Sequence, residues 1–166
     1  MNNHAILLVE DDANDIFFMR NAMKGAGLTD QMHVAEDGQH ALDYLAGEGK
    51  YGNRERFPLP DLILLDLKLP CVMGMDVLRA IRAQRALELV IVIMLTSSRQ
   101  ESDIRAAYRA GANSYLVKPN RPQDLVHMVK LIGQYWLELN NPTAEAATHA
   151  PESRAHHVKA PDAART

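Results

Sequence analysis

The chain of 166 residues is 47% hydrophobic and 23% charged, the make-up of one soluble globular domain. Its net charge of −3 argues against a protein that coats nucleic acid with a basic surface, and a single cysteine, Cys71, excludes an intramolecular disulfide. The start, MNNHAILLVEDD, lacks the features of a signal peptide, and no apolar run nears the roughly 20 residues that span a bilayer, so a cytoplasmic protein away from the membrane is expected.

The first strand-length apolar run is AILLV, residues 5–9. Behind it Ile16, Met19, Met23 and Ala26 recur at helical spacing, and Gly25 and Gly27 end the pattern. QMHVA (31–35) reads as a second strand, and Leu42 with Leu45 marks a second helix. Residues 47–60, GEGKYGNRERFPLP, hold three glycines and two prolines and are expected to form a long exposed loop. DLILL (61–65) is the third strand, and Leu78 and Ile81 mark the third helix. After VIVIML (90–95), Ser98 and Glu101 have capping-box spacing ahead of a helix with Ile104, Ala107 and Tyr108 on one face. After SYLV (114–117), Asn120 and Gln123 repeat that spacing and Pro122 falls in the first turn. Leu125, Met128, Ile132, Trp136 and Leu139 then form one stripe. The domain is expected to occupy residues 4–140. In residues 141–166 Val158 is the only large aliphatic, so a disordered tail is expected there, with no room for an output domain.

Strands and helices alternate five times. That order predicts an α/β fold of the flavodoxin-like (βα)5 type, a doubly wound parallel five-stranded sheet in the order 2-1-3-4-5. Ligands of such sheets bind beyond the carboxyl ends of the strands. There the sequence places Glu10, Asp11 and Asp12 after strand one, Asp66 after strand three, Thr96, Ser97 and Ser98 after strand four, and Lys118 after strand five. Asp12 or Asn14 suits the N-cap of the first helix. The remaining carboxylates would repel one another unless a hard cation such as Mg²⁺ neutralised them, and Lys118 adds a charge suited to a phosphoryl oxygen. The set suits phosphoryl transfer onto an aspartate.

ILLVEDD, LILLDLKLP with Gly74 eight residues after Asp66, IVIMLTSS and AGANSYLVKP together resemble the receiver domains of bacterial response regulators over roughly residues 4–139. The resemblance implies a phosphoacceptor signalling protein, not a turnover enzyme, that takes a phosphoryl group from a sensor histidine kinase onto Asp66. Asp11, Asp66 and the Lys68 backbone carbonyl would hold Mg²⁺, with Mn²⁺ as a substitute and Glu10 acting through water. Thr96 and Lys118 would bind the phosphoryl group, Tyr115 would be the aromatic switch, and Lys68 and Ser98 would tune the phosphoryl lifetime. Lys68 stands where receivers commonly carry Asn, Met73 where an acidic or polar residue is frequent, and Asn120 where many have Phe. The 47–60 loop, LLDLKLP and GQYWLELNNP are similar to stand-alone phytochrome-associated regulators, which implies a phytochrome kinase as partner and a homodimer through the helix four, strand five and helix five face. Two other readings stay open: a receiver-like module that binds without phosphorylation, and an aspartyl-nucleophile phosphohydrolase of the haloacid-dehalogenase type. The latter would need a second Asp where Lys68 stands.

Overall fold

Five parallel strands form one sheet in the order β2-β1-β3-β4-β5, as the alternation predicts. They are β1 (Ile6–Val9), β2 (Met32–Ala35), β3 (Leu62–Leu65), β4 (Ile91–Thr96) and β5 (Ser114–Val117). The computed structural model describes residues 4–28 and 32–140; the expected tail, 141–166, lies outside the described residues. Every residue of β1 and β3 is buried, which is why these strands carry no polar alternation.

Five helices cover the sheet: α1 (Ala13–Ala26), α2 (Gly38–Ala46), α3 (Gly74–Ala83), α4 (Glu101–Arg109) and α5 (Pro122–Ile132). On one face Met19, Ala22 and Met23 of α1 and Leu125, Val129 and Ile132 of α5 pack on Ile6, Leu64 and Ile93. On the other, Tyr44, Leu78, Ile81 and Ala107 of α2, α3 and α4 pack on Leu7, Ile63 and Met94. Each buried Val, Leu, Ile or Met among these contributes about 1.5–3 kcal/mol by leaving water.

The strands pair in register, and that aligns the site. Val9 lies opposite Leu65, Leu65 opposite Met94, and Thr96 opposite Val117. The ladder runs one residue further: the Asp66 N–H donates to the Val9 carbonyl at 3.1 Å, and the Lys118 N–H to that of Thr96 at 2.9 Å. Glu10 and Asp66 therefore leave adjacent strands at the same level. Gly74 brings α3 close to this edge, since a Cβ there would sit 2.0 Å from the Asp66 carbonyl oxygen. Gly38 does the same for α2 against the Val72 carbonyl.

Several local expectations need correction. Neither expected capping box forms. Gln100 and Arg121 occupy the N-caps of α4 and α5 without a side-chain cap, and Ser98 instead donates to Asp103 at 2.5 Å. Asn120 is therefore not the N-cap. Tyr108 and Leu139 do not lie on core faces; they are exposed. After Ile132 the chain continues as a π-helical segment, Gly133–Leu139, whose wider turns put Leu137 inward where a regular 3.6-residue period points to Leu139. Residues 47–60 are not a free loop. A 3-10 turn at Gly49–Tyr51 buries Tyr51 against Tyr44 and Phe57, with ring centroids 5.2 Å apart in both contacts.

Candidate functional site

At the carboxyl edge of the sheet, Glu10 and Asp66 are nearly buried, and Asp11 is exposed beside them. Asp12 caps α1, accepting from the N–H groups of Asn14 at 2.8 Å and Asp15 at 3.1 Å, so it is spent on the helix. The Asp66 carboxylate accepts from the Lys68 N–H at 3.2 Å through Oδ1, and from Lys118 Nζ at 2.6 Å through Oδ2. Lys118 also donates to Glu10 Oε2 and, at 2.7 Å, to Asp15 Oδ2.

Burial works against the Lys118 charge, yet Asp15, Asp66 and Glu10 outweigh it and hold its pKa above the ordinary lysine value. Glu10 is pushed up to about 7, first by burial and then by the Asp66 charge, with Lys118 pulling the other way. Asp15 is the residue the sequence reading missed. The only signal was an acid one turn into α1, and the 103 residues that separate it from Lys118 hide the contact.

Thr96 is buried, and its hydroxyl oxygen accepts from the Ser98 N–H at 3.4 Å. The Tyr115 hydroxyl donates to the Ser98 carbonyl at 3.1 Å, with the ring half-buried against the α2–α4 core. Burial raises its pKa. Ser98 thus joins Thr96, Tyr115 and Asp103. The Lys68 side chain is exposed.

The donors at this edge are hard oxygens. Among the described residues no three acid, histidine or cysteine side chains gather closely enough to hold a metal by themselves. Mg²⁺ needs only one or two carboxylates with waters and further oxygens, and the Asp11 carboxylate accepts no hydrogen bond among the described residues. The donor set fits such an ion.

The sheet edge thus joins a buried carboxylate gripped by a lysine to a hydroxyl and further acids at neighbouring strand ends. The family model for the response regulator receiver domain matches residues 6–130. The chain belongs to the response regulator receiver family. This receiver is 38% identical to the response regulator Rcp1 of Synechocystis over 80% of this chain and 88% of Rcp1. It is 41% identical to FilR2 of Methanothrix harundinacea over 81% of this chain and 84% of FilR2. The Mn²⁺-bound form of Rcp1 superposes with a TM-score of 0.74 at 36% identity, covering 85% of this chain and 99% of the other. The phosphorylated cyanobacterial phytochrome response regulator RcpA does so with a TM-score of 0.77 at 34% identity and the same coverage. The receiver therefore has phytochrome response regulators among its relatives, as its loop and strand-end sequences led us to expect. No described helix is long and apolar enough to cross a membrane.

Proposed function

We propose that this receiver accepts a phosphoryl group on Asp66 from a sensor histidine kinase and signals through the change in protein contacts that follows. The observation that carries the reading is the grip of Lys118 on Asp66, a nearly buried carboxylate held 2.6 Å from an ammonium at the mouth of the sheet. An Asp66 oxygen forms the O–P bond as the P–N bond to the kinase histidine breaks, and the imidazole leaves with the electron pair. Lys118 stands ready to neutralise a phosphoryl oxygen, and Thr96 to donate its hydroxyl to another. A Mg²⁺ ion held by Asp11, Asp66 and the Lys68 carbonyl, with Glu10 acting through water, would absorb charge on the transferring group when bound.

The acyl phosphate adds roughly two negative charges and three acceptor oxygens beside Thr96. Movement of Thr96 reaches Tyr115 and α4 through Ser98. Exposed Lys68, two residues from the acceptor, and Ser98 are placed to tune the lifetime of the phosphoryl group. The likeness to RcpA supports a phytochrome as the kinase, and the α4, β5 and α5 face is our choice for self-association. Acetyl phosphate with Mg²⁺, followed by intact-mass measurement, tests the reading. We expect a gain of one phosphoryl group that Asp66→Asn abolishes; a gain that survives the substitution would overturn it.

A further inference from the structure

An ammonium has three N–H donors, and all three of Lys118 are taken, by Glu10, Asp66 and Asp15. The first two acids stand at strand ends and belong to the acceptor site. Asp15 does not. It projects from the first turn of α1, is less buried than Glu10 or Asp66, and Lys118 is the only partner of its carboxylate among the described residues. Asp15 is also well supported. Its own N–H is capped by Asp12, and the positive end of the α1 dipole favours a carboxylate there.

The three carboxylates are not equivalent once the site is in use. Asp66 and Glu10 are the partners that Lys118 would share with a cation, and Asp66 loses a carboxylate charge when it is esterified. A dication beside them also repels the ammonium. Asp15 alone is shared with neither the cation nor the phosphoryl group. A lysine on a flexible four-carbon stem needs such an anchor if it is to stay over the acceptor.

We propose that Asp15 is a positioning residue that holds the Lys118 ammonium over Asp66 while the site is loaded with its cation and phosphoryl group. This rests on Asp66 being the acceptor. With acetyl phosphate as donor, the O–P bond to Asp66 forms as the P–O bond to acetate breaks and acetate leaves with the electron pair. Asp15 takes no part beyond steadying Lys118.

Two measurements test it on the full chain. In the first, intact-mass time courses with acetyl phosphate and Mg²⁺ compare wild type, Asp15→Ala, Asp15→Asn, Lys118→Ala and the Asp15→Ala, Lys118→Ala double variant. Asp15→Ala should phosphorylate about fivefold more slowly or worse, with Asp15→Asn between it and wild type because it keeps an acceptor oxygen but not the charge. In the Lys118→Ala background the same substitution should change the rate by less than about twofold. A wild-type rate in Asp15→Ala, or equal slowing with and without Lys118, overturns the proposal. The second needs no phosphorylation: the Lys118 ammonium resonance of ¹⁵N-labelled protein with Mg²⁺ should be protected in wild type and broadened by water exchange in Asp15→Ala. An equally protected resonance in the variant also overturns the proposal. If that resonance responds while wild type gains no phosphoryl mass, the acceptor reading fails and the positioning contact stands.

Discussion

Glu10 is held in a tension that pH can reveal. Burial raises its pKa to about 7, well above its ordinary 4.5, even with the Lys118 ammonium in contact. The folded state therefore binds more protons than the unfolded chain between those values, and its stability falls as pH rises through that window. Glu10→Gln removes the titration and serves as the reference. In thermal melts without divalent ions, wild type should lose stability relative to Glu10→Gln from pH 4.5 to about 7; a flat difference would show that Glu10 titrates normally. At this scale, the residues legible in the sequence were those that a strand end delivers: Glu10, Asp66, Thr96 and Lys118 each follow an apolar run directly. Asp15 was not legible, because its contact with Lys118 depends on how α1 is rotated against the end of β5. The same holds for Gly38, whose need is a backbone approach from a loop more than 30 residues away.

Elements show where local patterns stop being informative. The inner strands β1, β3 and β4 were readable because a run buried on both faces admits few polar residues, and the partly buried edge strands β2 and β5 by their length and their place in the alternation. The caps of α4 and α5 were not, because the helices begin later than the capping pattern implies: Gln100 and Arg121 hold the N-caps, and the Ser98 hydroxyl goes to Asp103. The 47–60 segment misled for a different reason: its glycines and prolines describe the backbone, while its few large side chains decide the packing. Arg54 organises it. Its guanidinium donates to the carbonyls of Tyr44 at 2.8 Å, Leu45 at 2.7 Å and Phe57 at 3.3 Å, so a cation closes the negative end of α2 and ties the returning chain to it. The Tyr44 hydroxyl completes the clasp by donating to the Pro58 carbonyl at 2.8 Å. Arg54→Ala is expected to lower the unfolding free energy by about 1.5–3 kcal/mol, the range for hydrogen bonds from a charged donor. Urea denaturation measures it, and a loss of only a few tenths would mean that the aromatic cluster holds the segment unaided.

Across the whole molecule, the candidate site touches helices on both faces of the sheet, but these helices are not equally firm. On the α1–α5 side each helix buries three residues, and Lys118 is tied to α1 through Asp15. On the other side α4 buries only Ala107, and its first turn is joined to the site through the Ser98–Asp103 bond. An element with so little buried apolar area lies at the low end of local stability and yields first to a pull at its end. Thr96, Ser98, Tyr115 and Asp103 form a connected path for that pull. A phosphoryl group that draws in Thr96 should therefore alter α4 and β5 while leaving α1 packed on α5. Coupling of this kind is typically about 1–3 kcal/mol, which corresponds to changes of roughly 5- to 150-fold in local opening. Amide hydrogen exchange, with beryllofluoride and Mg²⁺ as the phosphoryl mimic, measures it segment by segment. Residues 97–109 and 114–117 should change protection within that range, and the buried turns of α1 and α5 should change far less. A response centred on α1 and α5 would place the mobile element on the opposite face of the sheet and leave the Ser98 path without a role.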